Sequence, residues 1–577
     1  MEMGREPQEA LPQAPALDPI IVEVIRNALL YASEEMGMVV RNASFSPNIK
    51  ERLDHSCALF DARGRLIAQA EHIPVHLGSL PVGIANTLAY FERNGQQLDE
   101  GDMVVVNNPY IAGTHLNDIT LIRPVYFEQQ LIGYAASKAH HTDVGGRVPG
   151  SISSDATEVF QEGLILPPVK LMVRHSFQQD IAQIICANSR TPAARMGDLR
   201  AQIAGNLRGE LRLQEIVARY GWLVFQSAIN RILDESELRL RQQLALFPPG
   251  CYEAEDYLDD DGQSNTPVRL KVAIILEGET MKVDYTGTAA QVQSAVNAVF
   301  GVTLSAVYYV LRSVTDHTIP MNEGCFRPVT VHAPEGTILN PRFPAPVAGG
   351  NVETSMRNAD VLLQAFAKIA PERIPACSGG TMTNLMVGGD NWAFYETIGV
   401  GMGGRSGLDG IDGIQTNMTN TLNTPIEAIE RHFPVRMTRY ELRENSGGAG
   451  QWRGGCGLER GFQLLADTAT VSLLGDRARF SPPGLQGGQP GKTSERILIR
   501  HRDDDKRREP LPAKTTVILR KGDELIIKTP GGGGFGPPAK RDATRIQHDL
   551  ENDLCTREES SQGLHHPFDE SRISTGS

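Results

Sequence analysis

The order of strand-like and helix-like sequence constrains the fold of this chain more than any other feature. From Ser56 onward, short β-type runs are separated by Gly, Asp and Pro, as in CALFDARGRLIAQ, DMVVVNNPY and TLIRPVYFEQQLIGYAASKAHHTDVGG. Residues 172–247 lack both the alternation and the turn residues of strands, so we predict helices there. Strand-like sequence returns at residue 251. We therefore predict a multidomain α+β (mixed α/β) fold with β-rich N-terminal and C-terminal parts and a helical middle.

The length of the chain and the positions of these segments suggest domain boundaries. A chain of 577 residues is long enough for roughly two to four domains. We expect a disordered N-terminus at 1–17, an N-terminal domain at 18–250, a glycine-rich mixed α/β domain at 251–538 and a disordered tail at 539–577. Asp18 and Pro19 suit an N-cap and a first-turn proline, so a helix is predicted to begin there.

Charge and composition exclude several classes of function. A net charge of −13 and a pI near 5.6 repel phosphate backbones, so no nucleic-acid partner is expected. No apolar run approaches the length of a membrane helix, and the acidic, proline-containing N-terminus is unlike a signal peptide. Seven scattered cysteines without a CxxC pair are typical of reduced thiols. We expect a soluble, cytoplasmic protein without a membrane partner.

Histidines are concentrated in the first quarter of the sequence. Six of the fourteen lie between residues 55 and 141, whereas an even distribution over 577 residues would place about two there. Aspartates lie close to them, in GTHLNDIT and SKAHHTDVGG. Imidazole and carboxylate together are the ligand set of Zn, Mn or Fe. The candidate ligands are His115, Asp118, His140, His141 and Asp143.

The spacing within SKAHHTDVGG leaves two arrangements open. If the strand stays extended through Asp143, then His141 and Asp143 share one face and His140 faces the other way. If the chain turns early, the three-residue spacing pairs His140 with Asp143. A third interpretation is that these residues satisfy backbone groups in tight loops.

The segment that precedes these motifs is less informative. His72 and His76 are separated by Ile73 and Pro74, which favours an extended segment whose two histidines line one pocket. Adjacent Asp54, His55 and Ser56 cannot form a catalytic triad, because a triad needs side chains from separate elements.

The glycine-rich stretches do not have the form of a nucleotide site. GGGGFGPP at 531–538 is followed by prolines and a charged tail instead of the helix that a phosphate loop needs. Residues 399–413 and 444–461 likewise lack a nucleotide-binding context. We interpret these glycines as turns, or as places where another backbone comes close. ATP, if used, is expected to bind elsewhere.

The chain as a whole resembles the B-subunit type of the hydantoinase/oxoprolinase family, which also includes a component of ketone carboxylases. The resemblance runs from residue 18 to about 538 and rests on many motifs in family order, among them DPIIVEVIRNAL, NNPYIAGTHLNDIT, KAHHTDVGGRVPGS, ATEVFQEGL, RTPAARMGDLRAQIAGN, DYTGT, GGNVETS, NTPIEAIE and KTPGGGGFG. Asn108 in NNPY departs from the expected Asp, which puts a catalytic role for that position in doubt.

The resemblance implies a division of labour between two subunits. The partner is an A-type ATPase subunit, which binds ATP and Mg and phosphorylates a small cyclic amide such as a hydantoin or 5-oxoproline. The present chain holds a divalent metal (Mn, Zn or Fe) and assists ring opening by water, as part of a hetero-oligomer. The metal role falls on Asp118, His140, His141 and Asp143, with His115 as a further candidate. Asp54 or His76 is expected to relay the proton.

Two other functions are compatible with the same residues. A subunit of an ATP-dependent ketone carboxylase would share the scaffold and the metal, and would hydrolyse ATP only with bicarbonate. A non-catalytic scaffold would hold a structural metal, and removal of that metal would unfold it.

Overall fold

The computed structural model describes residues 17–70, 72–502 and 505–558. The disorder expected for residues 1–16 and 559–577 therefore lies outside the described residues. Within the described part, helices and strands alternate in a mixed α/β architecture. The predicted fold class is confirmed.

Seven of the described strands form an antiparallel sheet in the N-terminal half. Their order is β2-β1-β5-β4-β3-β6-β7. The strands are β1 (His55–Asp61), β2 (Leu66–Gln69), β3 (Met103–Val106), β4 (Asp118–Phe127), β5 (Gln130–His140), β6 (Val169–Val173) and β7 (Ser176–Phe177). The predicted hairpin in CALFDARGRLIAQ is the β1–β2 pair. In the β4–β5 pair, Asp118 lies directly opposite His140.

Helices cover both faces of this sheet. They are α1 (Pro19–Ala43), α2 (Pro47–Lys50), α3 (His76–Arg93), α4 (Pro109–Ala112), α5 (Gln179–Ala187), α6 (Pro192–Tyr220) and α7 (Trp222–Leu244). The prediction for α1 is confirmed, since Asp18 accepts a hydrogen bond from the Ile20 N–H and Pro19 is the first helical residue. Helices α1, α6 and α7 share a core with one face of β1 and β5, and α3 packs on the other face. Both faces are therefore apolar and buried.

Two local predictions differ from the structure. Residues 169–173 and 176–177 form β6 and β7 at the sheet edge, so the helical middle begins only at Gln179. The segment around His76 is not extended, because His76 is the first residue of α3. Leu80 and Ile84 lie one turn apart on this helix and pack against the sheet. That apolar spacing overrides the local effect of Pro74.

A second sheet begins the C-terminal half. Its four described strands are β8 (Gly250–Leu258), β9 (Val268–Glu277), β10 (Thr280–Asp284) and β11 (Val329–His332), in the order β11-β10-β9-β8. Helices α8 (Phe300–Val314) and α9 (Ser355–Phe366) share its core. A π-helical turn, Gly350–Thr354, precedes α9. The predicted domain boundary after residue 250 falls at the start of β8 and stays a prediction.

Two further sheets complete the fold. The third, in the order β13-β12-β16-β19, and the fourth, in the order β14-β15-β20-β17-β18, share one core. Their strands are β12 (Asn384–Gly389), β13 (Trp392–Thr397), β14 (Val435–Leu442), β15 (Leu458–Leu464), β16 (Thr468–Leu474), β17 (Glu495–Arg502), β18 (Asp505–Pro510), β19 (Lys514–Arg520) and β20 (Glu524–Lys528). Helix α10 (Ile426–His432) precedes β14, and short 3₁₀ turns lie at Val159–Gln161, Glu323–Phe326 and Pro538–Lys540.

The predicted disorder from residue 539 is wrong for part of the tail. Helix α11 (Ala543–Glu551) forms there. Asp549 on this helix accepts hydrogen bonds from Arg453 and Arg541, and Ile546 is buried. These contacts hold a segment whose charged composition alone suggested disorder.

The glycine-rich stretches pack their backbones against one another. The Gly455 N–H donates to the Met402 carbonyl at 2.7 Å, and the Gly532 N–H donates to the Gly455 carbonyl at 2.9 Å. A Cβ atom on Gly454 would lie 2.0 Å from the Gly532 carbonyl oxygen. Close approach between backbones therefore requires glycine here, as one of the two sequence interpretations proposed.

No helix in the described ranges is both long and apolar enough to cross a bilayer.

We predict that Gly454→Ala destabilises the protein more than Gly278→Ala does. The first change forces a Cβ into a backbone carbonyl, and we expect it to lower the free energy of unfolding by about 3 kcal/mol or more. Gly278 lies in a turn at φ 59° with open space around it. Its replacement costs about 1–2 kcal/mol of backbone strain. Urea unfolding followed by circular dichroism measures both, and equal effects would contradict the packing argument.

Candidate metal centre

Four buried side chains meet at one end of the seven-stranded sheet. His115 lies in the loop before β4, Asp118 is the first residue of β4, His140 is the last residue of β5, and His76 begins α3. Each is at most 2% exposed. Residues alternate between the two faces of a strand. Asp118 and His140 therefore point together towards the face that α3 covers.

Three of these side chains bring their ligand atoms to one point. His115 Nε2 lies 3.0 Å from Asp118 Oδ1 and 3.1 Å from His140 Nδ1, and the remaining side, from His140 Nδ1 to Asp118 Oδ1, is 3.3 Å. These residues form a group that could hold a metal ion. A tetrahedral ion with bonds of about 2.0–2.1 Å to nitrogen places its ligand atoms about 3.3 Å apart. The observed triangle fits one face of such a site.

His76 fixes the second oxygen of Asp118. Its Nε2 lies 3.3 Å from Asp118 Oδ2, and its Nδ1 lies 2.8 Å from the Ser56 hydroxyl. Because a carboxylate only accepts, Nε2 carries the proton and Nδ1 accepts from Ser56. Partners of this kind orient the ligands of metal sites.

The electrostatics of the group favour metal ligation. Burial by itself raises the pKa of an aspartate, but His115 and the hydrogen bonds from the three histidines hold the pKa of Asp118 well below its usual range. Burial lowers the pKa of His140, although Asp118 and Asp54 oppose this. The group therefore offers an ionised carboxylate beside a neutral imidazole, which are the protonation states that bind metal.

A small, partly open cavity adjoins the group. Its volume is about 20 Å³, and Asp54, His76, Asp118 and His140 line it on one side. The C-terminal half supplies further wall, including Asn351 of the π-helical turn and Tyr395 of β13. Asp54 is 8% exposed, and its side chain receives one long hydrogen bond, 3.4 Å, from Asn48. Of the two predicted proton relays, Asp54 is therefore the less tightly held.

His141 is not brought to this group. The strand ends at His140, and the next side chain points to the opposite face of the sheet. There His141 Nε2 lies 2.9 Å from Gln202 Oε1 on α6. Burial lowers the pKa of His141 to about 3, and Arg195 adds to this effect. His141 thus serves the contact between the sheet and α6.

Asp143 is also held away from the group, by a loop. Its carboxylate accepts hydrogen bonds from the Gly145, Gly150 and Arg190 N–H groups and from the Arg190 side chain, at 2.9–3.2 Å. Neither arrangement that the spacing of SKAHHTDVGG left open therefore occurs. The ligand partners of His140 come from β4 and the loop before it.

Sequence reasoning missed three residues that support the group. Lys138 lies two residues before His140 on the same strand face, and its buried amine donates to the Ala112 carbonyl at 2.8 Å and to the Thr114 hydroxyl at 3.0 Å. It thereby holds the loop that carries His115. Burial lowers the pKa of Lys138 to about 8. The two-residue spacing in KAH was the available signal.

The other two residues join distant parts of the chain. The Tyr395 ring stacks on the His140 ring with centroids 4.5 Å apart, and the Arg52 guanidinium lies over the Tyr395 ring, 4.8 Å from its centroid. Arg52 also donates to Thr397 at 2.6 Å. No sequence spacing connects positions 52, 140 and 395. Asn108, the residue that departs from the family pattern, caps α4 instead and accepts from the Tyr110 N–H.

Fold and site together define a large mixed α/β protein with a buried His-Asp-His group between its two halves. Residues 18–538 match the family described as hydantoinase B/oxoprolinase. This chain belongs to that family, as the sequence motifs indicated.

Curated relatives agree with this membership. An uncharacterized protein of Methanocaldococcus jannaschii is 46% identical over 93% of this chain and 94% of its own length. A Pseudomonas sp. protein provisionally named as the B-type subunit of a D-/L-hydantoinase is 33% identical over 94% of both chains. The 5-oxoprolinase of Saccharomyces cerevisiae is 37% identical over 90% of this chain. This chain spans only 42% of that yeast protein.

Solved structures share the fold. The ATP-dependent caprolactamase of Pseudomonas jessenii superposes with a TM-score of 0.88 at 29% identity, over 96% of this chain and 97% of the other. An acetone carboxylase superposes with a TM-score of 0.86 at 18% identity, over 95% of this chain and 79% of the other. The second likeness concerns the fold alone.

We predict that Asp143→Ala acts on stability. The change leaves a buried loop without the acceptor of four hydrogen bonds, and we expect a loss of about 2–3 kcal/mol in the free energy of unfolding. Asp234→Ala is the matched control, because Asp234 is 71% exposed and pairs with Arg327 on the surface. That control should change stability by less than about 0.5 kcal/mol. Urea unfolding compares the two, and equal losses would contradict the structural role of Asp143.

Proposed function

We propose that this chain is the B-type subunit of an ATP-dependent cyclic-amide hydrolase. It would open a hydantoin or 5-oxoproline type of ring that a partner A-type ATPase subunit has activated by phosphorylation. The observation that carries the proposal is the buried His115–Asp118–His140 group beside a small cavity that Asp54 lines. Family membership supports the substrate class, since both parts of the family name refer to enzymes that act on cyclic amides.

The proposed metal ligands are His115, Asp118 and His140, without His141 or Asp143. A divalent ion held there, Mn, Zn or Fe, would supply Lewis-acid chemistry at an amide carbonyl. The chain's own residues do the rest. His76 holds the Asp118 carboxylate in place, and Asp54 accepts the proton of the attacking water.

The division between two subunits has structural support. Backbone groups of the three glycine-rich stretches are hydrogen-bonded to one another. The yeast 5-oxoprolinase is more than twice as long as the matched region, and the Pseudomonas relative carries the name of a subunit. ATP and Mg are therefore assigned to a partner in a hetero-oligomer.

Adjacent histidines provide a matched test of the metal site. We predict that the purified chain contains near-stoichiometric Mn, Zn or Fe, that His140→Gln loses this metal, and that His141→Gln keeps it. The two changes are chemically identical but act on opposite faces of the sheet. Elemental analysis of folded samples, checked by circular dichroism, gives the result. Loss of metal from both variants, or retention in both, would contradict the assignment of the site.

A second variant tests the reaction. With the A-type subunit, ATP and 5-oxoproline or hydantoin, we expect ring opening that requires the metal. Asp54→Asn should retain the metal but lower kcat by about 10²- to 10⁴-fold, the usual contribution of a general base. ATP hydrolysis that depends on bicarbonate instead of a cyclic amide would reassign the chain to a ketone carboxylase. Unfolding upon metal removal, without any turnover in the intact complex, would indicate a scaffold.

A further inference from the structure

Helix α3, which begins at His76, has no capping side chain from its own segment within the part of the chain that the structure describes. Val75 stands at the N-cap position and makes no side-chain hydrogen bond to the helix. The first N–H groups of a helix need acceptors from elsewhere. The first two in α3 donate to carbonyls of the turn before it, at 3.0 and 3.1 Å. The next two, of Gly78 and Ser79, face helix α8.

Ser305 of α8 supplies the missing cap. Its hydroxyl oxygen accepts hydrogen bonds from the Gly78 N–H at 2.9 Å and from the Ser79 N–H at 3.1 Å. The hydroxyl proton faces the Val75 carbonyl at 2.7 Å and the Gly301 carbonyl of its own helix at 2.9 Å. Ser305 is fully buried. A side chain 227 positions from Gly78 in the sequence thus takes the part that an N-cap hydroxyl has in other helices.

Two glycines allow α8 to lie this close. A Cβ atom on Gly78 would lie 2.7 Å from the Ser305 backbone nitrogen. A Cβ atom on Gly301 would lie 2.5 Å from the Gly113 carbonyl oxygen, in the loop before His115. Helix α8 therefore contacts both the start of α3 and the loop that carries His115. Because these contacts join backbone to backbone, the position of α8 fixes the position of both.

The turn before α3 is also held on both sides. The Val75 N–H donates to the carbonyl of Met418, which lines the cavity beside the metal group, at 3.2 Å. The Ile73 N–H donates to the Ser56 hydroxyl at 3.2 Å. That same hydroxyl lies 2.8 Å from His76 Nδ1. The orientation of the His76 ring therefore depends on where the backbone of this turn is held.

We propose that Ser305 is a positioning residue for the metal group and that it acts through His76. By capping α3 from α8, Ser305 fixes the backbone at His76, whose Nε2 then reaches Asp118 Oδ2 at 3.3 Å. His76 in turn holds the carboxylate that is proposed to bind the metal. The positioning role rests on the proposed function, whereas the cap itself does not.

Hydrogen–deuterium exchange of the purified chain tests the cap without metal or turnover. Ser305→Ala leaves the Gly78 and Ser79 N–H groups without their acceptor. Amide exchange in peptides that cover residues 76–84 should then rise about two- to thirtyfold, the usual effect of losing a cap. Mass spectrometry of the peptides gives the result.

Ser236→Ala is the matched control. Ser236 is a buried serine on α7 whose hydroxyl donates to the Ile232 carbonyl and accepts from Asn322, both at 2.9 Å. Its loss should leave exchange at residues 76–84 unchanged. If Ser305→Ala does not fold, Ser305→Cys replaces it, because a thiol keeps the volume and a weak acceptor.

Metal affinity tests whether the cap acts on the metal group. Zn²⁺ and, separately, Mn²⁺ are titrated into the chain in competition with a chelator, with Tm and circular dichroism as checks of folding. His76→Ala should weaken binding about 10- to 100-fold, the usual effect of losing a residue that orients a ligand. Ser305→Ala acts one step further away and should weaken it about three- to tenfold. Ser236→Ala should bind like the unaltered chain.

The double variant separates positioning from general stability. If Ser305 acts through His76, then Ser305→Ala combined with His76→Ala should bind metal like His76→Ala alone, within about twofold. A loss that merely reflects lower stability would instead add to that of His76→Ala. The non-additive result is therefore expected only if the cap acts through this histidine.

Unchanged exchange at residues 76–84 in Ser305→Ala would overturn the cap. Faster exchange with unaltered metal affinity, or losses that add in the double variant, would overturn the positioning role. A chain that binds neither metal would overturn the proposed metal centre and with it the positioning role, while the exchange result would still decide the cap.

Discussion

The pairing of Asp118 with His140 across β4 and β5 is the contact on which the candidate site depends. Strand side chains alternate between faces, so a slip of one residue would bring Ala139 into the place of His140 and turn both ligands away from each other. The register is fixed because both faces of the sheet are buried under helices. The apolar cores on the two faces therefore determine which of two adjacent histidines reaches the site.

Residues of the C-terminal half, among them Tyr395, complete the wall of the site. Contacts within that half hold Tyr395 in position. Tyr395 stacks on His140, and its hydroxyl donates to Asn384 at 2.9 Å. Buried ion pairs join the elements of that half: Arg357 on α9 contacts Asp256 of β8 at 3.1 Å and Asp476 after β16 at 2.7 Å. Breaking such a buried pair costs several kcal/mol because it leaves a charge without a partner.

Sequence reasoning reached the fold class, helix α1, the β1–β2 hairpin and three residues of the buried group. These features depend on local periodicity, on capping residues and on the local excess of histidine. It also named His76, which lines the cavity, but it predicted an extended segment there, because a helix start after Pro74 was not distinguished from extended sequence. His141 and Asp143 were also predicted as ligands, but neither side chain lies at the group. His141 points to the opposite face of the sheet from His140, and Asp143 lies in the loop that follows. Tail helix α11 was missed because its partners, such as Arg453, lie far away in sequence.

By itself the sequence determined the family, the mixed architecture and the presence of imidazole and carboxylate in one short region, because these follow from residue types at short spacing. Only the tertiary structure decided which histidines meet, that Asp54 borders their cavity, and that Tyr395 stacks on His140. Residues 52, 140 and 395 come together through helix packing and sheet register. No local pattern records such long-range contacts, since each depends on how whole elements bury their apolar faces.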